Sequence, residues 1–220
     1  MTRIPVADRR TALVQAALRV VARDGVAAAT TRRIVAEAGM PLASFHYVFA
    51  SRDELMAELI EAAVAGEQRD LDPILTAAAR VDTEAPAMRE VLRAGLQHYF
   101  DGVRADPDRE KAMLELTQWA LREPGFEPLA RRQYARYHEL AAHAAAEAAR
   151  LTGSHWTRPL AEVARILVSF TDGLTVGWLV TRDDAAAAAT MDVAADALAA
   201  LAAPVPVHTP APSTENAGTR

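Results

Sequence analysis

Apolar residues recur at helical spacing along most of the chain, whereas the alternation typical of strands is nearly absent. Between residues 9 and 23, for example, Leu13, Ala17 and Val20 fall on one side of a helix that Gly25 ends. This pattern predicts an all-α fold. The predicted helices cover roughly residues 9–23, 31–38, 41–48, a segment from 51 onward, 87–105, 108–122, 128–150, 158–182 and 185–202.

The helix pattern divides the chain into three parts. Residues 1–55 predict a small N-terminal domain, and residues 56–202 predict a larger helical domain. Residues 203–220 are rich in proline, threonine and serine and have no period, which indicates a disordered tail. At the first boundary, Ser51 and Glu54 have the spacing of a capping box, so a helix is predicted to begin there.

Residues 30–49 contain two short helical segments joined by a turn with glycine, which is the pattern of a helix-turn-helix unit. Gly39 can adopt the positive φ that ends the first segment, and Pro41 suits the first turn of the second. A small core is predicted between them, made of Ile34, Val35, Ala38 and Met40.

The second segment of this unit is predicted to have an apolar inward side and an uncharged polar outward side. At about 100° per residue, the inward side holds Leu42, Phe45, Val48 and Phe49, and the outward side holds Ala43, Ser44, His46 and Tyr47. A solvated helix surface would normally carry Glu, Lys or Arg. Small and aromatic-polar side chains instead fit the major groove of DNA, where bulk and negative charge are penalised.

Charge is distributed unevenly along the chain, whose net charge is -5. Residues 1–55 carry eight arginines and five acidic residues, net +3, whereas residues 56–220 carry sixteen basic and twenty-four acidic residues, net -8. A basic N-terminal part is expected to meet phosphate. Thr31 and Arg32 lie at the start of one predicted helix, and Arg52 lies at the start of another, where the helix dipole favours an anion.

Several other classes of protein receive little support. The chain has no cysteine, which excludes disulfides and cysteine zinc sites. The longest apolar segment, 166–180, falls short of the roughly eighteen residues of a membrane span and is interrupted by Asp172. The N-terminus lacks the pattern of a secretory signal. We therefore expect a soluble cytoplasmic protein that does not enter a membrane.

The segment from His138 to His143 resembles a zinc-protease motif but is one residue too long. Histidines five residues apart point about 140° away from each other on a helix and are poorly placed to share a metal. No catalytic Ser/His/Asp order and no glycine-rich phosphate loop is present. We expect no metal, no cofactor and no enzymatic activity.

Residues 9–60 resemble the DNA-binding domain of the TetR family of transcriptional regulators. The resemblance covers a long first helix, Thr30-Thr31-Arg32, the Gly39-Met40 turn and an aromatic-rich second helix. The run from His46 to Phe49 departs from the common Tyr-Tyr-His-Phe of the family. By position, the resemblance implies phosphate contacts for Thr31, Tyr47 and Arg52, a base or phosphate contact for Arg32, and groove positions for Ser44 and His46.

The resemblance further implies a homodimer with a small-molecule cavity in the larger domain. Paired recognition helices about 34–36 Å apart would match successive major grooves of a pseudo-palindromic operator. The apolar face predicted for the dimer interface consists of Ile166, Leu167, Phe170, Leu174, Trp178, Met191 and Leu198. The aromatic and polar candidates for the cavity are His98, Tyr99, Trp119, Phe126, Tyr134, Tyr137, His138, Phe170 and Trp178.

These features predict a ligand-responsive regulator, more often a repressor in this family, that a small and hydrophobic or aromatic molecule releases from double-stranded DNA. The alternative is a helical ligand-binding or adaptor protein that keeps the N-terminal fold without binding DNA. Each dimer residue could also fill the core of its own subunit, and each cavity candidate could be ordinary core or surface.

Overall fold

The structure, a computed structural model, describes residues 5–62 and 86–205. Every predicted helix is present, and the ends differ from the predicted ones by at most three residues. The helices are α1 Val6–Asp24, α2 Thr31–Glu37, α3 Leu42–Val48, α4 from residue 52 and described as far as 62, α5 Met88–Ala105, α6 Pro107–Arg122, α7 Glu127–Leu151, α8 Leu160–Thr181 and α9 Asp184–Ala199. The prediction of an all-α fold is confirmed.

Three short elements were not predicted. A turn of 3-10 helix, Val26–Ala28, separates α1 from α2, and strand β1, Ser154–Trp156, pairs antiparallel with β2, Ala202–Pro204. Because Ala203 pairs with His155, the predicted disorder is wrong for the first residues of the tail. Residues 206–220 lie outside the described part of the chain.

Polar caps begin two of the N-terminal helices. The Thr30 hydroxyl accepts a hydrogen bond from the Arg33 amide at 3.3 Å at the start of α2, and Ser51 Oγ accepts from the Glu54 amide at 3.0 Å before α4. The Glu54 carboxylate accepts from the Ala50 amide, so it reaches one residue further back than a capping box requires.

The first of two large hydrophobic cores lies among α1 to α4 but extends into the larger domain. Its buried side chains include Leu13 and Ile34 from the N-terminal helices and Met113, Leu116 and Ala120 from α6. Helix α6 is therefore packed directly against the N-terminal helices. Because this core contains side chains from both parts, the packing does not separate them, and the division into domains 1–55 and 56–202 stays a prediction.

The second core lies among α5, α7, α8 and α9 and is centred on the edge-on contact between Phe100 and Trp178, whose ring centroids are 5.5 Å apart. Among the described helices, α8 alone is long and apolar enough to cross a membrane by length and composition, and only about a third of its most apolar window is buried. A soluble core helix passes the same test, so the finding is weak support for a span.

Candidate DNA-binding surface and ligand cavity

Helix α3 is fixed by two buried aromatic rings and one arginine. Phe45 and Phe49 are buried, with ring centroids 5.5 Å apart. Arg10 of α1 donates a hydrogen bond to the carbonyl oxygen of Val48 at 3.0 Å and forms ion pairs with Glu54 and Glu58 of α4. Its guanidinium also lies 4.4 Å from the centre of the Phe49 ring. The orientation of α3 is thus set by contacts to both neighbouring helices.

The outward surface of α3 differs from the predicted one at two positions. His46 and Tyr47 are exposed as predicted, Tyr47 by 59%, but Ser44 is only 7% exposed and Leu42 is 40% exposed. Ser44 lies four residues before Val48 and therefore shares its inward face. Leu42 is the first residue of the helix and lies at the edge of the core. The predicted groove position of Ser44 is corrected accordingly.

Most arginines near α2 bind acidic side chains of the same region. Arg19 and Arg23 donate hydrogen bonds to Glu37 at 2.9 and 3.2 Å, and Arg33 donates to Asp24 at 2.7 Å. Arg32 is exposed, and no residue within 5–62 or 86–205 binds its guanidinium. The half-buried Thr31 is the first residue of α2. Arg32 is consequently available to an external anion.

The structure gives Arg52 a role different from the predicted phosphate contact. Its Nε donates to the carbonyl oxygen of Ala29 at 2.8 Å, and its Nη2 donates to that of Val26 at 2.7 Å. The guanidinium also faces the Trp119 ring at 5.9 Å. Because both of these donors bind the backbone, Arg52 holds the turn between α1 and α2, and its phosphate contact stays a prediction.

The same turn is bound from the other side by α6. Glu115 Oε1 accepts a hydrogen bond from the Val26 amide at 2.6 Å. Gly25 has φ of 85°, and a Cβ at this position would lie 2.8 Å from Glu115 Oε1. Glycine is therefore needed both for the backbone conformation and for the close approach of the carboxylate.

A cavity of about 1020 Å³ lies between α5, α6, α7 and α8. Four of the predicted residues line it: His98 and Tyr99 from α5, and Tyr134 and Tyr137 from α7. The rings of Tyr134 and Tyr137 are 5.6 Å apart. An aromatic wall around this volume suits a small organic molecule.

The other predicted cavity residues lie elsewhere in the described structure. The rings of Trp119 and Phe126 are tilted against each other with centroids 4.6 Å apart and pack against the first core, and Phe170 packs against the second. Trp178 is buried in the second core and donates its indole N–H to Asp184 at 2.7 Å. His138 contacts the Tyr134 ring but does not line the cavity. Phe126 lies in the turn before α7, and the other four lie on helix faces other than those that line the cavity.

Sequence models of known families match both parts of the chain. One for bacterial regulatory proteins of the tetR family matches residues 13–59, and one described as BetI-type transcriptional repressor, C-terminal, matches residues 86–203. The chain belongs to the TetR family. It is a ligand-responsive regulator of transcription.

Individual members of the TetR family are similar over most of the length. The HTH-type nicotine-responsive transcriptional repressor HdnoR of Paenarthrobacter nicotinovorans is 30% identical over 182 residues, 83% of this chain and 89% of that protein. The multidrug binding protein EbrR, solved with imidazole, is 28% identical with a TM-score of 0.63, covering 91% of this chain and 97% of EbrR. The structure of EbrR with ethidium is 27% identical with a TM-score of 0.57, covering 90% of this chain and 99% of EbrR.

Members of the TetR family bind DNA as dimers, but four of the residues predicted for the interface lie inside this subunit. Leu174, Trp178, Met191 and Leu198 are buried in the second core, and the half-buried Ile166, Leu167 and Phe170 pack against it. The opposite sides of α8 and α9 are exposed and consist mainly of small and β-branched residues. We call this surface the α8–α9 stripe: Ser169, Gly173, Val176, Gly177 and Val180 from α8, and Ala189, Val193 and Ala197 from α9.

Several polar residues that line the cavity were not predicted. The buried Gln133 donates from Nε2 to Tyr137 Oη at 2.7 Å, and its Oε1 lies 3.1 Å from the Thr117 hydroxyl. The Tyr99 hydroxyl lies 2.6 Å from Thr175 Oγ1. These residues were missed because a search for aromatic side chains disregards the polar groups that orient a ligand.

Two partly buried carboxylates also line the cavity. Asp172 Oδ2 accepts a hydrogen bond from Tyr134 Oη at 3.0 Å, and burial raises the pKa of Asp172 although Tyr134 and His138 act in the opposite direction. Burial and the charge of Asp172 raise the pKa of Tyr134 to about 12. Burial also raises the pKa of Glu110, against the effect of Arg109, which lies 3.1 Å away. The interruption of an apolar segment by Asp172 was the available sequence signal.

Proposed function

We propose that this protein is a dimeric repressor that binds a pseudo-palindromic operator through α3 and leaves it when an aromatic molecule enters the cavity. The observation that supports the proposal is that α6 contacts both the core beneath α3 and the cavity. One side of this helix packs in the core that supports α3, and Met113, Leu114 and Thr117 of the same helix line the cavity. Occupation of the cavity can therefore shift the support of the DNA-binding surface.

The proposed DNA contacts use side chains of α2 and α3 that are exposed or half-buried in the folded subunit. His46 and Tyr47 are exposed on α3, where an imidazole and a phenol can reach base edges or phosphates in the major groove. Arg32 and Thr31 lie at the start of α2 and are proposed to contact the DNA backbone. Buried Phe45 and the Arg10 contacts keep α3 in one orientation for this purpose.

The α8–α9 stripe is proposed as the dimer interface. Val176, Val180 and Val193 are between 45% and 79% exposed, although each would favour burial. A Cβ added at Gly173 or Gly177 would meet nothing within 4 Å, so a second helix can approach the backbone closely there. Pairing with a second copy would cover the apolar side of α8 that the subunit leaves exposed.

The aromatic character of the effector is supported by the cavity and by the similar proteins. Three tyrosines and a histidine line the cavity. HdnoR is described as nicotine-responsive, and EbrR has been solved with ethidium and with malachite green. All three molecules contain aromatic rings. A cytoplasmic location is proposed, because a regulator of this kind acts on DNA.

The proposal is tested by selecting bound fragments from random DNA and measuring affinity for the enriched operator by fluorescence anisotropy. We expect a palindromic site, one dimer per site and a marked loss of affinity on raising salt. Arg32→Ala and Tyr47→Ala should each weaken binding without changing the melting temperature. Arg131→Ala, which removes the same charge from an exposed position on α7, is the matched control. Failure to enrich any sequence at low salt would favour the adaptor alternative.

A further inference from the structure

The charged side chains around the cavity are mostly negative. Among the described residues that line it, Arg109 is the single arginine and there is no lysine, whereas five residues are acidic. Arg109 already forms an ion pair with Glu110. The acidic lining residues are Glu90, Asp101, Asp106, Glu110 and Asp172. This imbalance favours a ligand that brings positive charge with it.

Asp172 differs from Glu110 in having no arginine or lysine beside it, although the charge of His138 acts to lower its pKa. Its hydrogen bond comes from the neutral Tyr134, and no lysine or arginine within residues 5–62 and 86–205 forms an ion pair with it. Lys111, the single lysine of the chain, binds Asp108. Half-burial of a carboxylate without an arginine or lysine partner is unfavourable, which agrees with the raised pKa of Asp172, where burial outweighs the opposite effects of Tyr134 and His138. A bound cation would remove this penalty.

One tyrosine contacts this carboxylate, and two more line the same cavity. Tyr134 donates directly to Asp172, and the Tyr137 ring lies 5.6 Å from that of Tyr134. Tyr99 reaches the same stretch of α8 through Thr175, which follows Asp172 by three residues and therefore lies on the same helix face. Aromatic faces attract cations, most strongly where water is excluded.

We propose that the effector is an organic cation whose charged group binds at Asp172 between Tyr99, Tyr134 and Tyr137. The proposal rests on the proposed function in taking this cavity as the effector site, and it adds the charge of the effector and the residue that recognises it. The uncharged remainder of the molecule occupies the apolar part of the cavity, formed by residues such as Leu140, Leu167 and Val168.

The test is direct titration of the full-length protein, without DNA, by isothermal titration calorimetry in sodium buffer. The probes are ethidium, tetraphenylphosphonium and tetraphenylborate; the last two have the same shape and opposite charge. Asp172→Asn retains an oxygen that can accept from Tyr134 but removes the charge. Asp108→Asn makes the same chemical change at a carboxylate of α6 that binds Lys111 and does not line the cavity, and it serves as the matched control.

We expect at least one cation to bind the wild type and Asp108→Asn alike, and to bind Asp172→Asn roughly 10- to 100-fold more weakly. Tetraphenylborate should bind the wild type more weakly than tetraphenylphosphonium does, and this preference should shrink in Asp172→Asn. Asp172→Ser repeats the measurement with a second uncharged side chain, and melting temperatures verify that each variant is folded.

Equal cation affinity in the wild type and Asp172→Asn would overturn the proposal. The proposal would also be overturned by an equal loss of cation affinity in Asp108→Asn, by a preference for tetraphenylborate, or by the failure of both cations to bind the wild type. Because no DNA is present, these outcomes are separate from the operator experiment. Cation binding through Asp172 without operator binding would refute the proposed function and leave the cation site intact.

Discussion

The carboxylate of Glu115 on α6 accepts a hydrogen bond from the backbone amide of Val26, 89 residues earlier in the chain, at 2.6 Å. Arg52 binds the carbonyl oxygen of the same Val26. The turn between α1 and α2 is thus held between the helix that borders the cavity and the helix that follows α3. This contact is a direct polar link between the two parts of the protein.

Glu115→Ala is expected to loosen this turn. The Val26 amide loses its acceptor, and the free energy of unfolding should fall by about 1–3 kcal/mol. Hydrogen exchange of the Val26 amide, followed by NMR, should become faster than in the wild type. Glu115→Gln keeps an acceptor oxygen and should show a smaller effect in both measurements. Unchanged exchange at Val26 in Glu115→Ala would mean that the hydrogen bond does not restrain the turn.

Arg52→Ala and Arg32→Ala are expected to weaken operator binding for different reasons. Arg52 stabilises the fold through two backbone carbonyls, so its loss should lower the melting temperature together with DNA affinity. Arg32 has no partner in the described structure, so its loss should lower DNA affinity at unchanged melting temperature and reduce the salt slope by about 1. Thermal melting and anisotropy at several salt concentrations distinguish the two variants. An Arg52→Ala protein with an unchanged melting temperature but weak DNA binding would support the predicted contact of Arg52 with phosphate.

Val176→Arg is expected to convert the dimer into a monomer. The new charge would lie within the α8–α9 stripe, where burial without a partner is unfavourable. Analytical ultracentrifugation should show the dissociation, and circular dichroism should show unchanged helix content. Leu121→Arg, at an exposed apolar position of α6 outside the stripe, is the matched control and should remain dimeric. A dimeric Val176→Arg protein would place the interface elsewhere.

Asp172→Asn is expected to stabilise the ligand-free protein at neutral pH. The folded-state pKa of Asp172 is raised by burial, so the ionised form disfavours folding, and the cost is relieved as pH falls through that pKa. The stability advantage of the variant should therefore shrink between neutral pH and the unfolded value near 3.8.

Glu37→Gln should show the opposite behaviour and serves as the comparison. Arg19 and Arg23 lower the pKa of Glu37, so its ionised form favours folding above the unfolded value near 4.5, and this contribution is lost as pH falls through the lowered pKa. Chemical denaturation of wild type and both variants from pH 7 downward measures these differences. Parallel pH profiles for Asp172→Asn and the wild type would contradict the burial of this charge.

The helices and the DNA-binding unit could be predicted from the chain alone because their signals are local. These signals are the helical spacing of apolar residues, Gly25 and Gly39 at the ends of α1 and α2, and the Ser51 cap. Each of them depends on residues that are only a few positions apart. The same holds for the exposure of His46 and Tyr47, which follows from the phase of one short helix.

The partners of individual side chains were decided by tertiary structure. Arg52 was predicted to meet phosphate, but the folded chain brings two carbonyl oxygens within its reach. Trp178 and Leu174 were predicted at a dimer interface, but an apolar face on α8 can equally pack against α5 and α9. Periodicity identifies the face of a helix that is buried. It carries no information on which helix covers that face, because the covering residues are distant in sequence.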